Sequence, residues 1–331
     1  MKSRSQPNTL LAVATLLAAA ASPSSCSAFV PPSFARHASA RRTAIDAAAT
    51  RTTPTTTTSL RMSDEAEEDA EGGRQDGWYP GQNLINVDKE RIAFDELYMG
   101  SSKDLVLFLP NLKLGRDCNQ ADAVLKHCIT SRRNFLSLDY YARGDSTGNI
   151  MDATLSRWVE DSITMLANAA KHVDRGRAGR KAVLVGHATG CWVAILVALR
   201  RPDLVRGIVG IGADPDFTED LVWKSLSDED KDTIMTEGFK EIQWGKLKET
   251  YMITSNLIED GRKNLILRGG KESLSVDCPV RLVHDLDDAE VHCDTSIRLA
   301  ETLRSDDVVV SIPKGMKGVN NAIDQCFAAT K

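Results

Sequence analysis

The stretch Val183-Leu184-Val185-Gly186-His187-Ala188-Thr189-Gly190-Cys191-Trp192 carries the clearest chemical geometry in this chain. An apolar run meets a turn flanked by glycines, and a helical pattern begins at once. G-x-(nucleophile)-x-G spacing of this kind lifts one side chain above the end of a sheet, next to the first amides of a helix. A serine held there attacks a carbonyl carbon. The lifted residue here is Ala188, and a methyl group attacks nothing. Thr189 follows it, but its side chain leaves the turn in another direction. Cys191 stands on the first helical turn, where a helix N-terminus favours a thiolate. It is therefore a candidate substitute nucleophile, with a simple packed thiol as the other reading. His187 precedes the alanine and is expected to pack at the sheet edge or the floor of the site.

Other chemistries find little support. The seven cysteines (26, 118, 128, 191, 278, 293 and 326) form no C-x-x-C and no cluster with histidine. They read as reduced thiols in a reducing compartment. There is no H-x-x-x-H. There is no Walker loop, and Gly207, Gly210 and Gly212 do not make G-x-G-x-x-G. No cofactor is expected. Of 41 basic and 46 acidic residues, the first 61 positions hold seven basic and one acidic, which leaves 34 against 45 in the body. An acidic body of that kind disfavours nucleic acid or an anionic membrane as partner.

The elements needed to position the turn are legible. A hairpin is expected around 83–97, folded about Asp88-Lys89-Glu90. Apolar strands follow at 105–109, 135–139, 181–187, 208–212, 280–284 and 308–312. Helical periodicity appears at 118–130, 152–172, 189–200, 294–304 and about 319–329. Alternating strands and helices with continuously apolar strands imply an α/β fold, a mostly parallel sheet with helices on both faces. Residues 215–277 break the rhythm with charged helical stretches around 217–226, 228–238 and 250–259. They read as an inserted helical cap over the site.

The N-terminal region reads as an address. Lys2 and Arg4 precede an apolar run from Leu10 to Ala21 and small residues ending at Ala28, which is the layout of a signal peptide over 1–28. Residues 29–62 are rich in Ser, Thr, Ala and Arg and nearly free of acid, as in transit peptides. With Phe29 at the junction, the order resembles the bipartite plastid presequences of algae with secondary plastids. Secretion with a Thr-rich stalk is the alternative. Residues 63–76 are acidic and Gly-containing and are expected to be a disordered linker ahead of the domain at 77–331.

Several motifs together resemble one branch of the α/β-hydrolase superfamily. That branch contains the mitochondrial acyl-glucuronide esterase and palmitoyl-protein thioesterase of animals and bacterial serine hydrolases. The motifs are Phe108-Leu109-Pro110, the run Asp139-Tyr140-Tyr141-Ala142-Arg143-Gly144-Asp145-Ser146-Thr147-Gly148, Ala213-Asp214-Pro215-Asp216-Phe217-Thr218, and Cys278-Pro279-Val280-Arg281-Leu282-Val283-His284. The resemblance implies a Ser, Asp, His triad in that chain order and a backbone oxyanion hole. Carried over by position, the nucleophile is Ala188, the acid is Asp288, and the histidine is Gly318. The oxyanion amides are those of Leu112 and Thr189, with Asn111 where a glycine is usual. His292, shortly after Asp288, is a candidate substitute base, or an ordinary loop histidine.

Triad hydrolysis needs a nucleophile and a base, and the acid only orients the base. The chain keeps Asp288 and lacks the other two. The expectation is a catalytically inactive relative of serine esterases and thioesterases that binds a small acyl or ester-like ligand, or a protein partner, under the cap. An active esterase using Cys191 or His292 is the alternative.

Overall fold

The computed structural model describes residues 75–86, 88–100, 102–173, 181–244 and 249–329. The signal and transit segments and nearly all of the acidic linker lie outside them. Strand β1 (Gly77–Ile85) pairs antiparallel with β2 (Arg91–Tyr98), the expected hairpin extended toward its N-terminus. Then follow β3 (Leu105–Leu109), α1 (Asn119–Ser131), β4 (Asn134–Leu138), α2 (Leu155–Val173), β5 (Ala182–His187), α3 (Thr189–Arg200) and β6 (Val205–Ile211). After the cap come β9 (Val280–Val283), α6 (Asp294–Thr302), β10 (Val308–Ser311) and α7 (Val319–Ala328).

The strands form one eight-stranded sheet in the order β1-β2-β4-β3-β5-β6-β9-β10. Pairing is antiparallel at β1/β2 and β2/β4 and parallel from β4 onward. Strands β3 and β4 are buried along their full length, as is β5 up to His187. Helices cover both faces of such strands, so no polar face is needed and the sequence reads as unbroken apolar runs. Helix α3 is buried from Thr189 through Ala198 and lies directly against the central strands. Its apolar character all round reflects that position.

The insertion between β6 and β9 differs from the all-helical cap expected over 215–277. It begins with a π-helical turn, Thr218–Trp223, and α4 (Asp228–Glu237). It then forms an antiparallel hairpin of β7 (Phe239–Trp244) and β8 (Glu249–Thr254) before α5 (Ser255–Lys263). The helix expected over 250–259 is thus a strand as far as Thr254. The cause is cross-strand pairing: Ile242 stands opposite Tyr251, and only β7 makes a strand of that segment worthwhile. The Thr254 hydroxyl then accepts from Leu257 N at 3.1 Å and caps α5, which fixes where the strand gives way to the helix. Asp216 pins the far end of the insertion to its start, accepting from Ile266 N at 2.8 Å and Leu267 N at 3.0 Å.

Candidate active site

The turn between β5 and α3 has the backbone of a nucleophile elbow. Ala188 has φ +50° and ψ −113°, a conformation that side-chain-bearing residues rarely adopt. Its N–H donates to Ile211 O at 2.8 Å, and its carbonyl accepts from Cys191 N at 2.9 Å. The turn is held from two sides. A Cβ on Gly190 would lie 2.0 Å from Leu109 O, and one on Gly186 would lie 2.4 Å from Cys191 N. Both contacts are with backbone, which has no rotamer to yield. The two glycines are therefore required by packing, whatever residue stands between them.

Asp288 lies at the same edge of the sheet. Its Oδ2 is 3.6 Å from the Cβ position of Gly212, which follows Ile211, the partner of Ala188. Its Oδ1 accepts from Glu290 N at 2.8 Å and Val291 N at 3.0 Å. The buried His284 ring has Nε2 3.6 Å from Oδ2. Burial alone would raise the carboxyl's pKa, but the His284 ring and the two amides outweigh it and pull it down to about 2. His284 is itself fixed: Nε2–H donates to Val291 O at 2.8 Å, and Nδ1 meets the Ser296 hydroxyl at 2.7 Å. Asp288 is thus ionised and immobile, and every partner it has here is structural.

Gly318 opens α7 with φ +96°, and nothing lies within 4 Å of the place a Cβ would occupy. The loop before it is tied to the acid loop by Gly315 N, which donates to Asp285 Oδ1 at 2.8 Å. The position expected to hold the histidine is thus open around its Cβ.

The two candidate substitutes stand in opposite surroundings. Cys191 is fully buried, and its Sγ lies 2.6 Å from the Cβ position of Gly210, so it packs on β6. Burial, with the nearby Asp214 carboxyl adding to it, pushes the thiol up to about 12. The helix N-terminus does not rescue a thiolate in that dry setting. The His292 side chain is 74 % exposed and pairs with Asp294, Nδ1 to Oδ2 at 3.1 Å. His187 has the better position of the two histidines. Burial lowers its ring to about 4, against the opposing pull of Asp288 and Glu290, and its Nδ1 is buried with no hydrogen-bond partner. A neutral imidazole there could accept a proton, but Ala188 has none to give.

The oxyanion side is partly rebuilt. Leu112 is buried on the loop after β3, and the Thr189 hydroxyl reaches Asn111 Oδ1 at 3.4 Å. The next residue, Lys113, was not singled out by the sequence. Its Nζ pairs with Glu290 Oε2 at 3.1 Å and stands 5.4 Å from the centroid of the Tyr251 ring of the cap. One side chain thus ties the oxyanion loop to both the acid loop and the cap. A lone lysine after a core strand carries no spacing signal, so only the tertiary arrangement exposes it. Tyr140 and Tyr141, near the site by motif, are packing residues: Tyr140 stacks on Trp158 at 5.5 Å, and the Tyr141 hydroxyl accepts from Asn149 N at 3.1 Å.

A mostly parallel sheet, a glycine-bound elbow after the fifth strand, a fixed acid after the ninth and an insertion between the sixth and ninth make the architecture of the α/β-hydrolase fold. The chain has that fold and is related to esterases and thioesterases that share it. Within it, the chain is similar to the ABHD10 branch. It is 27% identical over 212 residues to the mitochondrial palmitoyl-protein thioesterase ABHD10 of Mus musculus, covering 63% of this chain and 67% of that one. The mouse ABHD10 structure superposes with a TM-score of 0.62 at 23% identity, over 75% of this chain and 98% of that one. A hydrolase from Agrobacterium vitis gives a TM-score of 0.66 at 24% identity, over 76% and 99%. No family model matches.

Proposed function

We propose that this protein is a non-hydrolytic member of the superfamily that binds an acyl or ester-like ligand beneath its cap. The observation that carries the reading is Ala188 itself, held in elbow geometry with no nucleophilic atom. Gly318 supports it by leaving the base position empty of any side chain. In serine hydrolases, losing nucleophile or base alone removes about 10⁶ in rate. The oxyanion hole and binding then leave only about 10³–10⁴ over water. Similarity to palmitoyl-protein thioesterases points to acyl groups as the ligand class, with a protein partner as the other occupant to be considered. The layout of residues 1–62 supports action in the plastid stroma, which a fluorescent fusion of that segment would test by its location.

Turnover assays decide the main point. Purified protein incubated with p-nitrophenyl esters and palmitoyl thioesters should release product at the buffer rate. Turnover that an Asp288→Asn change abolishes would overturn the proposal. Turnover sensitive to Cys191→Ala or His292→Ala would favour a relocated active site instead, against the burial of the one and the exposure of the other.

A further inference from the structure

Beyond the elbow, a cavity of about 370 Å³ opens between the start of the cap and the start of α6. None of the residues assigned to the triad or the oxyanion hole lines it. We propose that this cavity binds a small organic carboxylate carrying a second oxygen, with its anionic end on Lys224 and Arg298 and its far oxygen on Asp214.

The case starts from Asp214. It follows β6, is 4% exposed, and has one carboxyl oxygen, Oδ1, that is buried with no hydrogen-bond partner. Buried polar groups are normally satisfied, and this orphan belongs to a residue that lines the cavity, so a ligand that reaches it completes its hydrogen bonding. Burial drives its pKa well above the ordinary carboxylate range, and Asp288 and Glu290 add to that against the pull of Lys113. That shift favours the protonated carboxyl, whose O–H is a donor. That donor suits a ketone, hydroxyl or carboxyl oxygen and does not suit an ammonium ion.

The rest of the lining agrees. Leu221 and Val291 supply apolar wall for a short carbon chain, and Thr295 adds a hydroxyl. Lys224 and Arg298 bring two cations. The carboxylate of Asp220, also on the wall, is engaged by Arg268 at 2.5 and 3.2 Å and lies 3.9 Å from Arg298. Arg268 thus engages that carboxylate from outside the wall, which leaves Lys224 and Arg298 for an anionic ligand. The cavity is within the size range of small-molecule sites.

The site goes beyond the proposed function, because it names a place and a ligand chemistry that hold whether or not esters are hydrolysed. Calorimetric titration of the purified protein with levulinate, butanoate and butylammonium tests it. Levulinate should bind, butanoate about tenfold more weakly for lack of the second oxygen, and butylammonium not at all. Replacing both exposed cations (Lys224→Ala with Arg298→Ala) should weaken levulinate about tenfold or more, while Asp214→Asn, which keeps a donor of the same shape, should retain binding. No levulinate heat at millimolar concentration would overturn the proposal. So would butylammonium binding as tightly as levulinate, or an affinity indifferent to the two cations. If the protein proves an active esterase yet binds levulinate, the proposed function fails and this site stands. An inert protein that ignores levulinate gives the converse.

Discussion

The acid loop and the base loop of this site have fared differently. Asp288 keeps its carboxylate, while Gly318 has no side chain. Their surroundings explain the contrast. Asp288 holds two amides of its own loop and faces the buried His284, so its loss would disturb the scaffold. At Gly318 nothing surrounds the Cβ position, and a φ of +96° suits a glycine there. The same division runs through the elbow. Backbone packs on Gly186 and Gly190, while the residue lifted between them, Ala188, carries only a methyl group. What remains is what the fold needs. Retention of Asp288 is therefore not evidence of catalysis.

That contrast can be broken by substitution. The largest effect is expected at Gly190→Ala, where a methyl would meet a backbone carbonyl at 2.0 Å. The cost should be about 3 kcal/mol or more, against less than about 1 kcal/mol for Ala188→Ser in the same turn. Denaturant melts of the two variants compare them directly, and equal stabilities would show that the elbow is not held by packing. Next comes Asp288→Ala, which strands two amides and should cost about 2 kcal/mol at neutral pH. Its folded carboxyl sits near 2, below the unfolded value of about 4. A depressed acid stabilises the fold above the unfolded value, and that contribution is lost as pH falls from about 4 toward 2. Wild type and variant should converge in stability over that window; a constant gap would deny the carboxylate its structural role. The smallest effect belongs to Cys191→Ala, about 1 kcal/mol for a packed sulfur. Native Cys191 should also resist iodoacetamide at neutral pH. Prompt labelling at that residue would mean an accessible thiolate.

Much of the frame was readable because its causes are local. Continuous apolar strands betray a sheet covered on both faces, and the glycines at 186 and 190 mark a turn that no other residue fits. The motifs single out Asp288, Ala188 and Gly318 as site positions. Three things were not readable. The β7–β8 hairpin depends on Ile242 meeting Tyr251 across a turn, a contact that periodicity within either strand does not announce. Lys113 gains its place only when its loop meets Glu290 of the acid loop and Tyr251 of β8. Asp214 appeared as one residue of a motif, and its orphaned oxygen emerges from burial, which composition cannot show. The helix-terminal position of Cys191 suggested reactivity, and desolvation reversed it.

The central claim is that the hydrolase frame is intact and only the reacting groups are gone. The most direct measurement is p-nitrophenyl acetate turnover by the double variant Ala188→Ser, Gly318→His beside the wild type. The account predicts an inert wild type and a double variant with measurable turnover that a further Asp288→Asn change removes. A wild type as fast as the double variant, or a folded double variant as inert as the wild type, would contradict it.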